Sequence, residues 1–199
     1  MKVYSGREGV RSKAAGNNLR RGNTNIPELV GNIDFNNRKE ISKVLGDAEQ
    51  ELQGLDYEVN YTVTSDGKVW RVQGDKFTVD PSVIPSDLTG SYSYHNHPNQ
   101  ETRYSFSGAD AAFFIASGEQ YSKASDNLFE YVMRRTENTV DKSYDEVYYR
   151  FKEIEKSAVL EMKWNKTIDP DIDGYHETMK ILSEELGMSY LRRKKDGNK

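Results

Sequence analysis

The 199-residue chain has no cysteine, which excludes disulfides, thiolate-bound zinc and a cysteine nucleophile. It lacks any run approaching the roughly 20 apolar residues that span a bilayer. Residues 1–21 contain no apolar core of a secretory signal, and Arg20-Arg21 is not followed by the apolar run of a twin-arginine signal. Positive charge is not in excess: 28 basic residues stand against 32 acidic ones, for a net charge of -4. No global field therefore attracts nucleic acid. The one basic run, at residues 192–195, reads as a solvated tail. No internal repeat is visible. These absences lead to an expectation of a soluble, cytoplasmic protein with neither nucleic acid nor membrane as partner.

Apolar residues make up 35% of the chain and charged residues 30%, enough for one wet domain with a modest core. Residues 1–33 are rich in Gly, Asn, Arg and Ser and read as a flexible arm that an assembly partner could order. Residues 34–199 form the expected domain. Asp34 can cap a helix starting near Asn36, with Ile41, Val44, Leu45, Ala48 and Leu52 as its apolar stripe. The period then changes to two. Tyr57, Val59, Tyr61 and Val63 alternate with polar residues, as in a half-buried strand. Asp66-Gly67 predicts a type I′ hairpin turn leading to a returning strand at 69–72. Residues 91–95 read as a short strand, and Ser107 as the cap of a helix carrying Ala109, Ala112, Phe113 and Ala116. A strand at 128–133 and two helices, at 141–165 and 170–186, complete the order. Gly187 ends the last helix. This alternation predicts an α/β domain.

The chemically informative stretch is Tyr94-His95-Asn96-His97-Pro98, followed by Phe106-Ser107-Gly108-Ala109-Asp110. Residues two apart on a strand project from the same face, so His95 and His97 can reach one ion. Pro98 stops the strand behind them. Asp110 falls in the first turn of the next helix. Two imidazoles and a carboxylate form a ligand set that zinc accepts, and three protein ligands leave a fourth position for water. Each piece also has a structural reading. Ser107 to Asp110 is a capping box, and the two histidines can be turn residues.

The combined pattern resembles the JAMM (MPN+, JAB-like) zinc metallopeptidases, with His-x-His-Pro, then Ser-x-x-Asp, and a glutamate upstream. The resemblance covers roughly residues 57–118. The separation of His97 and Asp110, thirteen positions, is two longer than the family's commonest spacing, which implies an enlarged loop at 99–105. The resemblance implies a cytidine-deaminase-like mixed, curved sheet flanked by helices, with additional C-terminal helices. It implies zinc held by His95, His97 and Asp110, a general base at the upstream glutamate, and Ser107 helping to hold the oxyanion. Glu58 best fits that glutamate, lying on the first strand before a hairpin; Glu51, Glu101 and Glu119 compete. The expected activity is cleavage of a peptide or isopeptide bond in a protein or peptide substrate. The motif is closest in flavour to JAB-like domains of phage head proteins and bacterial effectors. That flavour implies a delivered or particle-associated setting as one location. It also implies a second reading, a non-catalytic assembly protein that uses the fold for docking.

Three other features carry structural expectations. His176 has no second histidine four residues on, so it is read as a structural histidine. Asp169, Asp171 and Asp173 superficially resemble a calcium loop but are better placed to cap the helix near Pro170. Trp70, Trp164 and the tyrosines are read as packing residues.

Overall fold

A computed structural model describes residues 24–98, 104–165 and 169–195. Among them are seven strands and four α-helices, so the α/β class expected from the sequence holds. The chain separates into two compact units, Met1–Pro98 and Asn99–Lys199, a boundary inside the domain expected from residue 34 onward.

The first unit holds β1 (Pro27–Asn32), α1 (Arg38–Leu52), β2 (Val59–Val63), β3 (Lys68–Gln73) and β4 (Tyr92–Asn96). Its strands pair antiparallel in the order β1-β3-β2-β4. β1 lies within residues 1–33, which the sequence placed in a flexible arm. Five of its six residues pair with β3, from Pro27 opposite Val72 to Asn32 opposite Lys68, with a register shift at Val30, and Pro27 sits at its first position, where a missing N–H is tolerated. The cap of α1 is Asn37, not Asp34. Its side chain accepts the Lys39 N–H at 3.1 Å, while Asp34 accepts the Asn36 N–H in the preceding turn. Ile41, Leu45, Ala48 and Leu52 are the buried face of α1. Tyr61 donates its hydroxyl to Glu51 of α1 at 2.8 Å, so α1 covers the sheet face that carries Tyr61.

β2 departs from the expected alternation of burial. All five of its residues are buried. Asn60 and Thr62, on the face opposite Tyr61, satisfy each other through a Thr62 hydroxyl to Asn60 Oδ1 bond of 2.6 Å. The β2–β3 turn also differs from expectation. Gly67 has φ of +81° but Asp66 does not share it, and the Gly67 N–H bonds to the Thr64 carbonyl at 2.8 Å. This is a type I turn followed by a left-handed glycine, the three-residue hairpin loop, rather than type I′. A Cβ on Gly67 would stand 2.4 Å from the Ile33 carbonyl oxygen, so glycine is required there on two counts.

The second unit holds α2 (Gly108–Ser117), β5 (Tyr121–Ser125), β6 (Phe129–Arg134), α3 (Tyr144–Asn165), α4 (Pro170–Glu185) and β7 (Ser189–Lys194). Its strands pair antiparallel in the order β5-β6-β7. The basic run expected as a solvated tail is therefore the end of a strand, with Arg193 opposite Glu130 and Tyr190 opposite Met133. The core gathers Phe106, Phe114, Met133, Phe151, Met179 and Leu182 from the lead-in to α2, from β6 and from all three helices. α2 buries Ala111, Ala112, Phe114 and Ile115. Ala109 and Ala116 of the same helix are exposed. Asp169 caps α4 by accepting the Asp171 N–H at 2.9 Å, in agreement with the capping reading of that acidic segment. Among the described residues no helix is long and apolar enough to cross a membrane.

Candidate metal centre

His95 is the fourth residue of β4 and His97 follows the strand end. Both are buried, at 5% and 6% exposure. Their Nε2 atoms stand 2.9 Å apart, with ring centroids separated by 4.8 Å. The alternation of a strand brings both rings to one face, as the spacing predicts. At 2.9 Å the two Nε2 atoms are within hydrogen-bond distance, with donor and acceptor set by the tautomers.

The register of β2 against β4 locates Glu58. Asn60 is opposite His95 and Thr62 opposite Ser93, and directly opposed residues project to the same face. Glu58 immediately precedes β2; a two-residue period carried on from Asn60 would set it in the row of Asn60 and Thr62, the row opposite His95. Glu58 is 7% exposed. Its main chain is fixed on the other side, donating its N–H to the Asp75 carbonyl at 2.7 Å and accepting from Gly74 at 2.9 Å. Glu51 sits on the opposite face. It accepts from Tyr61 and lies 3.8 Å from Arg71 Nε, and Tyr61 pairs with Tyr94 rather than with a histidine. Glu101 and the enlarged loop are outside the described residues apart from Tyr104 and Ser105. Glu119, 2% exposed, follows the C-terminal glycine of α2, and its carbonyl accepts from Arg135 Nε at 3.0 Å.

Asn96, between the histidines, is a residue the sequence reading left without a role. Its Oδ1 accepts the Val59 N–H at 2.8 Å and its Nδ2 donates to the Tyr57 carbonyl at 2.9 Å. The side chain replaces the backbone ladder beyond its last described pair, Asn60 with His95, and ties the end of β4 to the residues on either side of Glu58. The clue was available: an amide flanked by two buried histidines must itself be satisfied inside.

In the second unit, Ser107 caps α2 and forms a complete capping box with Asp110. The Ser107 N–H and hydroxyl both donate to Asp110 Oδ2 at 2.7 Å, and the Asp110 N–H returns to the Ser107 hydroxyl at 3.2 Å. The capping reading of this pair is thus correct. A carboxylate at the third helical position is also favoured by the helix dipole. One ligand atom each from His95, His97 and Asp110 lie within 4.8 Å of one another, a group that could hold a metal ion.

His176, on α4, bonds through Nδ1 to the Tyr190 hydroxyl at 3.0 Å, as a structural histidine does. Burial and then the Arg192 guanidinium push its pKa down to about 4. Burial also raises the Tyr190 phenol above its ordinary range.

Compared with known proteins, the chain matches no family model, no curated protein and no solved structure.

Proposed function

We propose that the chain is a zinc-dependent peptidase or isopeptidase of JAMM type, with His95, His97 and Asp110 as metal ligands. The observation that carries this reading is the convergence of those three ligand atoms within 4.8 Å in a chain whose motif order is His-x-His-Pro, then Ser-x-x-Asp. The donor set fits the ion. Two nitrogens on a tetrahedral zinc at about 2.0–2.1 Å stand roughly 3.3 Å apart. The His95 and His97 Nε2 atoms, at 2.9 Å, need to separate by only a few tenths of an ångström. Imidazole and carboxylate without thiolate also suit a hydrolytic site with an open position better than a closed structural one.

Zinc bound there supplies Lewis acidity toward a carbonyl and acidifies water to a pKa near 7. The chain's own groups do the rest. Glu58, immediately before β2, accepts a proton from the attacking water and returns it to the leaving amine. Asn96 keeps the backbone on both sides of Glu58 in register with β4. Ser107 offers its hydroxyl to the oxyanion. Its main-chain N–H keeps its own bond to Asp110 Oδ2, so the carboxylate stays oriented when the hydroxyl turns.

The test is hydrolysis by the zinc-loaded chain of a panel of peptide and isopeptide-linked substrates, with chelator-treated protein as control. Cleavage that chelation abolishes and zinc restores supports the reading. A zinc-loaded chain that cleaves none of them makes the fold a docking module of an assembly protein.

A further inference from the structure

Three consecutive residues ahead of α2 are held by β7. The hydroxyl of Ser105, which is fully buried, lies 2.7 Å from the Tyr190 hydroxyl. Tyr190 in turn lies 3.0 Å from His176 Nδ1. The Phe106 ring meets the Tyr190 ring edge-on at 6.5 Å. Tyr104, a non-glycine residue with φ of +53°, presents its carbonyl to Arg192 Nη1 at 3.5 Å. Left-handed backbone at a tyrosine persists only where its surroundings fix it. Arg192 is itself anchored, by Asp173 at 2.5 Å and the Ile172 carbonyl at 3.1 Å. Directly after this clamped stretch come Ser107 and Asp110, the capping box that carries one metal ligand of the reading above.

We propose that Tyr190, backed by His176, is a positioning residue for Asp110, acting through Ser105; this rests on the assignment of Asp110 as a zinc ligand. The chemistry is consistent along the chain. With His176 neutral and Nδ1 bare, the Tyr190 hydroxyl donates a hydrogen bond to Nδ1 and its oxygen is then open to accept one from the Ser105 hydroxyl. A phenol committed to a neutral imidazole is a fixed acceptor. It holds Ser105 in one rotamer, and Ser105 fixes where the first turn of α2 begins. Partners of this kind beyond the ligands commonly govern metal affinity.

The experiment compares zinc affinity, by chelator competition on the full chain, for the parent, Tyr190→Phe, Ser105→Ala and the double variant. Tyr190→Phe keeps the ring against Phe106 and removes only the hydroxyl. Each single variant is expected to raise the zinc Kd about tenfold, and the double variant no further, because both lie in one hydrogen-bonded chain. Arg193→Ala, an exposed residue of the same strand paired with Glu130, is expected to leave the Kd unchanged and so reports any general weakening of β7. A Kd for Tyr190→Phe within twofold of a zinc-binding parent overturns the positioning role and leaves the metal assignment standing. A parent that binds no zinc overturns the metal assignment. Amide exchange at Gly108 to Asp110 then decides whether Tyr190 positions the helix start: faster exchange in Tyr190→Phe supports it, unchanged exchange overturns it. Should Ser105→Ala fail to fold, Tyr190→Phe and the exchange measurement still decide.

Discussion

The Asn96 side chain donates to the Tyr57 carbonyl at 2.9 Å, and with its second bond, from the Val59 N–H, it brackets Glu58. Replacing Asn96 by Ala leaves one buried N–H and one buried C=O without their partner. Each such loss costs about 1–3 kcal/mol. Asn96→Ala is expected to lower the urea midpoint with an unchanged slope. Asn96→Asp restores the acceptor for Val59 but not the donor for Tyr57, and falls between the two.

Glu58 is assigned to proton transfer and not to metal binding. Glu58→Gln is therefore expected to keep the parent's zinc stoichiometry while hydrolysis falls by about 10²–10⁴-fold. Loss of zinc along with activity would instead make Glu58 a ligand. Undiminished activity would return the choice to Glu119 or Glu101.

Gly108 opens α2 against Phe151. A Cβ there would stand 2.8 Å from the Phe151 ring edge, and the ring is fully buried. Gly108→Ala is expected to destabilise the chain by about 1–3 kcal/mol through overpacking. Phe151→Leu in the Gly108→Ala background is expected to recover part of that loss, giving a favourable coupling energy in a double-mutant cycle.

His176 gives the fold a defined pH response. Its folded pKa, about 4, lies below the ordinary value of 6.5, so the unfolded chain binds the proton more readily. The stability it contributes is present above pH 6.5 and is lost as pH falls from there through about 4. The groups acting on the ring are Arg192 and Lys180, which lower the pKa, and Glu177 and Asp173, which raise it. Tyr190 faces it directly. Urea midpoints measured between pH 7 and 4 are expected to fall less steeply for His176→Gln than for the parent. Equal slopes would remove His176 from this account.

What the sequence disclosed was local. The His-Asn-His-Pro segment, the Ser107 cap with Asp110 and the apolar stripe of α1 are set by neighbours within a few residues, and all three stand in the structure. Three strands could not be read. β1 contains Pro27 and Gly31, β5 is Tyr-Ser-Lys-Ala-Ser, and β7 ends in three basic residues. None has a strong period, and β1 and β7 take their order from partners far along the chain, β3 and β6. β2 looked half exposed because its polar residues alternate. Asn60 and Thr62 are buried nonetheless, each satisfied by the other. Asn96 was passed over because its role depends on Tyr57 and Val59, nearly forty residues earlier.

The central claim is that His95, His97 and Asp110 hold one zinc ion, and the direct measurement is metal content of protein purified without a histidine tag. The parent is compared with His97→Ala and Asp110→Ala after zinc is added and free metal removed. About one zinc per chain in the parent, lost in both variants while their circular dichroism is retained, is the result this account predicts. A parent that takes up no zinc, or an Asp110→Ala variant that binds it as tightly as the parent, would contradict it.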